Sequence, residues 1–300
     1  MRSVVMKSGF IAIIGRPNSG KSTLLNSILG SEISIVTPKA QTTRERIFGI
    51  HTDTQKGQIV FIDTPGIHRA REGGINQYMV EEAKHALDSP NLIWYLVDPN
   101  SAAFHEEAIL ELLNAHSAPV FLILNKSDAR QNDALEQELM ASLKEKQVPV
   151  QKSVKISGLR KSGVQKLLEE SWALLPEGPF YYPDADQLSD RPLRYFAAEK
   201  IREKLFYCMG DEIPYSCAVE IIKFDEKGKL PRIEAIIHVE RDSQKGMVIG
   251  QGGKKIKEIG QTARVEIEKL VGSKIFLGLK VEVTKNWTSK IETLKRLGYA

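Results

Sequence analysis

The stretch FIAIIGRPNSGKS, Phe10 to Ser22, runs an apolar segment directly into a glycine-rich loop that ends in a Lys-Ser pair. Such a segment reads as a strand buried on both faces. Gly15–Ser22 fits the G-x-x-x-x-G-K-[ST] pattern, which turns from a strand into a helix. The physical reason is direct. Gly15 and Gly20 allow backbone N–H groups to turn inward around phosphate oxygens, and the helix N-terminus adds positive potential. Arg16, Pro17, Asn18 and Ser19 complete the loop. Lys21 would reach the β and γ phosphates, and the Ser22 hydroxyl, followed by Thr23, would ligate Mg2+. The bland alternative, a glycine turn with a chance lysine, does not explain the strand before it and the helix pattern after it.

Outward from this loop, residues 8–175 alternate apolar runs with helical periodicity. The runs are FIAIIG, QIVFID, NLIWYLVD, PVFLILN and PVQKSVKIS. Helix-like stretches fall around 21–29, 76–88, 103–115, 132–147 and 163–175. This alternation predicts an α/β domain: a parallel-rich P-loop sheet with helices on both faces. The apolar N-terminal run superficially suggests a leader segment, but it flows straight into the loop, and cleavage there would destroy the site.

LNKSD identifies the base. Asn125, Lys126 and Asp128 follow the strand VFLIL, at the carboxyl end where such sheets bind ligands. The Asp128 carboxylate can accept both N–H donors on the Watson–Crick edge of guanine, whereas adenine offers no such pair. Asn125 and Lys126 would brace the loop and cover the base. FIDTPG supplies a third piece. Asp63 would reach Mg2+ through water, and the Gly66 N–H would contact the γ-phosphate, with Thr64, Pro65 and Ile67 beside it. Between these motifs, QTTR offers a threonine that ligates Mg2+ only with γ-phosphate present. Thr42 and Thr43 are adjacent, and Thr43 is favoured. Ser157, in the ISG loop, is a further base-side candidate. The position after Gly66 holds Ile67 where a water-orienting glutamine would help, so slow intrinsic turnover is expected.

Pro176 to Pro192, with four prolines and several acids, reads as a linker, and its aromatics Phe180, Tyr181 and Tyr182 suggest partial docking. The expected division is 1–176, linker 177–192 and 193–300. The last part has a different grammar: helix, strand, strand, helix, helix, strand. Between its second and third helices stands VIGQGGKKIKEIG. Gly250-Gln251-Gly252-Gly253 is a G-x-x-G loop of the kind that clamps about four nucleotides in KH domains. Ile249 lies beside it, and Lys254, Lys255 and Lys257 add charge. Ile249, Ile256 and Ile259 are expected to form an apolar side, partly core and partly a surface for bases. The element order matches the type II KH arrangement, an α+β domain.

Composition agrees. The chain has 300 residues, 42% hydrophobic and 27% charged, with net charge +4. Residues 1–182 carry 20 basic and 20 acidic side chains, and residues 183–300 carry 22 and 18, so the basic excess lies in the second part. Cys208 and Cys217 are too few for a disulfide framework or a four-ligand zinc site, and fit buried, reduced thiols. No apolar stretch is long enough to span a membrane.

GRPNSGKS, QTTR, DTPG, NKSD and ISG resemble the five motifs of the translation-factor-like GTPase class, with Gly158 departing from the commoner alanine. Together with TPKAQTTRERIFGIHT, REKLFYCMGDEIPYS, VERDSQKGMVIGQGGKKIKEIG and the ending LKRLGYA, they make nearly the whole chain similar to the Era family of bacterial ribosome-assembly GTPases. The resemblance implies a GTPase that binds GTP and GDP with Mg2+ and acts in maturation of the 30S subunit. It implies that the KH domain takes the 3′ end of 16S rRNA, that nucleotide state controls RNA access, and that the protein is monomeric. It implies a cytoplasmic protein with some peripheral association with the inner membrane. By analogy with related GTPases that carry an asparagine at this place, Asn18 would hold a K+ ion against the phosphates and join Lys21, Thr43 and Gly66 in catalysis. The competing readings are a GTPase of the same class acting in tRNA modification, a membrane-associated regulator of growth or the cell cycle, and an RNA-binding protein with an idle nucleotide domain.

Overall fold

The computed structural model describes residues 6–299 apart from 38, 40–41, 68–72, 130–131, 211 and 229, and the side chain of 104. Two compact units emerge. The first comprises residues up to 36, 43–71 and 79–190; the second comprises 37–42, 72–78 and 191–300.

The first unit is the α/β domain. Its strands are β1 (Lys7–Gly15), β2 (Ile47–Asp53), β3 (Gly57–Asp63), β4 (Leu92–Val97), β5 (Val120–Leu124) and β6 (Val150–Lys155). They lie in the order β2-β3-β1-β4-β5-β6, and all neighbours run parallel except β2 and β3. The helices are α1 (Lys21–Leu29), α2 (Gly74–His85, of which residues from 79 on belong to this unit), α3 (Glu107–Asn114), α4 (Asp133–Glu145) and α5 (Val164–Leu174). Every residue of β3, β4 and β5 is buried. That is why their sequences are near-continuously apolar. One core gathers Ile14, Tyr95, Val97, Leu122 and Leu124 of the sheet with Ile109, Leu113 and Leu139 of α3 and α4. The parallel strands all end at the same edge, so the loops after β1, β3, β4 and β5 meet there.

The antiparallel edge strand β2 is not foreseen by the sequence. IFGIHTD begins apolar and turns polar at His51, so it reads as a continuation of the threonine loop. Its pairing with β3 turns at Asp53, whose side chain accepts the N–H of Gln55 at 2.9 Å and of Lys56 at 3.0 Å.

The proline-rich stretch is docked, as its aromatics suggest. Gln58 exchanges two hydrogen bonds of 2.9 Å with the backbone of Tyr182. The Tyr181 ring packs at a tilt 4.6 Å from Phe10, and the Ile50 N–H donates to the Leu188 carbonyl at 2.8 Å.

The second unit is the α+β domain. It holds α6 (Leu193–Cys208), β7 (Ala218–Asp225), β8 (Arg232–Val239), α7 (Asp242–Ile249), α8 (Lys254–Val271), β9 (Phe276–Val283) and α9 (Ile291–Arg296). β7 and β8 are antiparallel, and β8 and β9 parallel, which is the type II KH sheet. Ile201 and Leu205 of α6 and Ile259, Ala263 and Ile267 of α8 bury against Ile233, Ile237 and Val281 of the sheet. A smaller cluster joins Trp287, Leu294 and Tyr299 to Ile75, whose N–H donates to the Thr288 carbonyl at 2.9 Å. Within the same unit the buried Arg202 guanidinium forks onto Glu199 and donates to the Thr42 carbonyl at 2.6 Å. Stretches 37–42 and 72–78 thus belong to this unit, although the sequence places them among the nucleotide motifs.

Candidate functional site

β1 ends at Gly15 and α1 begins at Lys21, so the loop between them wraps the N-terminus of α1. The Lys21 ammonium, only 6% exposed, donates to the carbonyls of Gly15 at 3.0 Å and Arg16 at 2.9 Å. Burial brings its pKa down from the usual lysine value to about 8, with the charges of Asp63 and Glu106 working against that fall. Gly20 has φ 96°, and a methyl there would lie 2.3 Å from Asn125 Nδ2, so glycine is needed on both counts. Ser19 Oγ is buried without a hydrogen-bond partner among the described residues.

The metal corner is made of hydroxyls and one carboxylate. Ser22 Oγ donates to Asp63 Oδ2 at 2.7 Å and lies 3.1 Å from Thr43 Oγ1. Asp63 is fully buried. Burial pushes its carboxyl up, while Lys21 and the Ser22 hydrogen bond pull it back. Its Oδ1 also lacks a partner among the described residues. Three hard oxygen donors and an orphaned carboxylate oxygen suit Mg2+, which takes its remaining ligands from phosphate and water. Ser22, Thr43 and Asp63 are the residues that would hold it. The neighbouring Thr42 is turned elsewhere: its hydroxyl pairs with Thr37 at 2.9 Å and donates to the Lys39 carbonyl at 2.9 Å.

The loop after β3 packs onto the phosphate loop. A methyl on Gly66 would lie 2.5 Å from the Pro17 nitrogen. Thr64 Oγ1 donates to the Ile13 carbonyl at 2.8 Å, so its hydroxyl anchors the loop to β1. Pro65 is buried beside it. Ile67 gives its side chain to the core and its N–H to the Gly15 carbonyl at 3.1 Å. Thr23 lies half-buried on α1, and Asn18 is exposed with φ 64°.

The base side is tied to the phosphate side by Asn125. Its Nδ2 donates to the Ser19 carbonyl at 2.9 Å, and its Oδ1 accepts the Gly158 N–H at 2.9 Å. Gly158, the departure from the usual ISG-loop pattern, therefore serves through its backbone. Ser157 Oγ donates to Asp128 Oδ1 at 2.5 Å. That hydrogen bond holds the Asp128 carboxyl below its usual range, so it is an ionised acceptor, as guanine recognition requires.

The loop after β4 is the part that the sequence does not announce. Asp98 Oδ2 takes the Lys126 ammonium at 2.6 Å. Ser101 and Glu106 reach the phosphate loop through Arg16. The one signal available was Asp98, which ends a buried strand as Asp63 does. Nothing in NSAAFHEE marks Ser101 or Glu106.

In the second unit, α7 ends at Ile249 and α8 starts at Lys254, with the glycine loop between. Gly250, Gly252 and Gly253 have φ of 71°, 59° and 76°. Gln251 and the three lysines are exposed. The Lys255 ammonium donates to the Cys208 carbonyl at 2.6 Å, whereas Lys254 and Lys257 extend from the first turn of α8. Ile249 and Ile256 are half-buried against the core, but Ile259 is completely buried. Ile259 is therefore core and offers no surface to a base.

Comparison with known proteins finds a family match in each part of the chain. Residues 10–126 match the family described as 50S ribosome-binding GTPase, and residues 212–288 match the KH domain. GTPase Era of Geobacter metallireducens is 50% identical over 98% of both chains. A crystal structure of Era in complex with MgGDPNP and nucleotides 1506–1542 of 16S ribosomal RNA superposes with TM-score 0.91, at 35% identity, covering 98% of this chain and 99% of that one. A variant of Aquifex aeolicus Era bound to GDP and AlF4− gives the same TM-score and identity, covering 98% of this chain and 100% of that one.

Proposed function

The chain belongs to the Era family of GTPases, and from that premise we propose that it is a GTP-gated clamp for the 3′ end of 16S rRNA, acting in maturation of the 30S subunit. The observation that carries this reading is the glycine loop of the second unit. Three glycines with positive φ within four residues, none of them buried and followed by exposed lysines, are suited to meet a phosphate backbone at close range. A relative of the same two-part fold is seen with that RNA.

On the nucleotide side, Asp128 selects guanine, and Asn125 locks the base loop to the phosphate loop. Lys21 and the backbone N–H groups of Gly15–Ser22 hold the phosphates. Gly66 meets the γ-phosphate, and Ser22, Thr43 and Asp63 hold Mg2+. When bound, Mg2+ offsets charge that develops between the β- and γ-phosphates. Ile67 is buried and orients no water, so turnover is slow without help. Asn18, exposed in the loop, would hold K+ against the phosphates. Equal hydrolysis in KCl and NaCl at one ionic strength would refute that part.

Gating has a physical basis in the second unit itself. Thr43 and Gly66 would respond to the γ-phosphate; Thr42, next to Thr43, is held by Arg202, and Ile75, further along the chain from Gly66, is held by Thr288. The protein works in the cytoplasm. Peripheral membrane contact is tested by liposome sedimentation; among the described residues no helix is long and apolar enough to cross a membrane.

The deciding experiment is binding of a labelled 16S 3′-end oligonucleotide with GDPNP and with GDP, for wild type and Gly252→Asp. Tight binding with GDPNP only, lost in the variant, is expected. Equal binding in all cases would overturn the clamp.

A further inference from the structure

Glu106 is 1% exposed, and the chemistry above makes no use of it. Burying a carboxylate is costly unless its oxygens are satisfied. Here both are. Oε2 accepts the Tyr95 hydroxyl at 2.9 Å, and Oε1 accepts the Ser101 hydroxyl at 2.8 Å. Ser101 Oγ in turn accepts from the Arg16 guanidinium at 3.1 Å. Arg16 is the second residue of the phosphate loop, and its carbonyl is one of the two that take the Lys21 ammonium. The Ser19 N–H also returns to the Arg16 carbonyl, at 3.3 Å.

We infer that Glu106 is a positioning residue for GTP binding and hydrolysis, acting through Ser101 to fix Arg16 and so the carbonyl platform on which Lys21 rests. The assignment rests on the reading of Gly15–Ser22 as the phosphate loop. The geometry supports a directed chain rather than mere packing. Ser101 both donates and accepts, so it can join a buried anion to a cation that does not touch it. Tyr95 fixes the carboxylate from β4, and the Ser101 N–H is itself held by the Asp98 carbonyl at 2.9 Å. Asp98 grips Lys126 of the base loop. One connection thereby tensions both halves of the nucleotide site, and it links residues 85 apart in sequence.

The test is the release rate of a fluorescent GDP from the full chain in Ser101→Ala, Arg16→Met, the double variant and Lys21→Ala. Ser101→Ala and Arg16→Met should each speed release about 10-fold, the scale of one hydrogen bond to a charged group. The double variant should be no faster than the faster single one. Glu106→Gln keeps an acceptor for Ser101 and should lie nearer wild type than Glu106→Ala. Release from Ser101→Ala at the wild-type rate, or effects that multiply in the double variant, would overturn the assignment. So would Glu106 variants that lower Tm with release unchanged. Lys21→Ala should lose GDP regardless; if it binds GDP as wild type does, the phosphate-loop reading itself fails.

Discussion

The two glycine loops of this chain use the same residue for opposite ends. At Gly15–Ser22 the glycines are crowded. A methyl at Gly20 or on the facing Gly66 would strike Asn125 or Pro17, and the loop is cross-linked by Lys21, Asn125 and Arg16. At Gly250–Gly253 no atom lies within 4 Å of a methyl added to Gly252 or Gly253. At those two positions only the backbone conformation demands glycine, whereas a methyl on Gly250 would lie 2.7 Å from Lys255 Cγ; the nearby charges are exposed. The first loop is a rigid socket, preorganised by a polar network. The second is an open hand whose ligand must supply the contacts. A small ligand bound through a few charged atoms needs the former. A flexible polymer, gripped along its backbone, can be held by the latter.

The largest effect should come from removing the socket's base reader. Asp128→Asn leaves the guanine N1–H and N2–H donors facing an amide that matches only one of them. GTP affinity should fall about 10³-fold. Xanthosine triphosphate, which offers a carbonyl in place of the 2-amino group, should regain much of it. Competition binding with both nucleotides reads this directly. Unchanged GTP preference would mean that the socket reads its base elsewhere.

Matched glycine changes sharpen the contrast. Gly66→Ala forces a methyl against the Pro17 backbone and should lower kcat/KM for GTP by about 100-fold, the scale of losing one preorganised donor at a phosphate. Gly252→Ala meets no atom and costs only the left-handed backbone, about 1 kcal/mol. It should weaken RNA binding about 5-fold and leave hydrolysis unchanged. Equal penalties for the two variants would erase the distinction between a crowded loop and an open one.

Acidity separates stability from binding at the socket. Lys21 has a pKa of about 8 in the folded protein, against the ordinary lysine value near 10.5. Between these values the unfolded chain holds a proton that the native one has released. The contribution of Lys21 to stability therefore rises with pH across that window. Phosphate binds the protonated form, so GDP affinity should be flat below pH 8 and fall up to 10-fold per unit above it. Titration of GDP binding between pH 7 and 9, beside thermal unfolding of the free protein, should show the two moving in opposite directions.

The same contrast explains what could be read in the sequence. The socket's strands are buried on both faces, so their apolar runs stand out, and phosphate chemistry fixes the spacing of Gly15, Gly20, Lys21 and Ser22. Type II KH topology follows from two amphipathic helices set between strands. What escaped reading is what depends on distance in space. Ser101 and Glu106 act on Arg16 across a gap of sequence that carries no periodicity. Thr42 and Thr43 differ only in the direction that the fold gives them: Thr43 stands by Ser22, and Thr42 sits within the second unit. Strand β2 is half polar because it lies at a sheet edge, and its pattern merges with the loop before it. Of Ile249, Ile256 and Ile259, expected to be partly core and partly surface, the fold alone says which is which: helical spacing sets Ile256 and Ile259 on one stripe and does not give the depth of each.

The smallest effect concerns the open hand itself. Lys254 and Lys257 lie on the first turn of α8, exposed, where their charges add to the positive end of the helix. Each contact with a single-stranded phosphate releases condensed counterions and contributes about 0.7 to the slope of log affinity against log salt. Lys254→Ala with Lys257→Ala should therefore reduce that slope by about 1.4, with only a several-fold loss of RNA affinity near physiological salt. Sequence preference should be unchanged, because phosphate contacts position a strand without reading it. The slope is the more telling number. If it stays at the wild-type value while affinity falls, the lysines act by shaping the loop. The second loop would then share more of the socket's character than its open geometry implies.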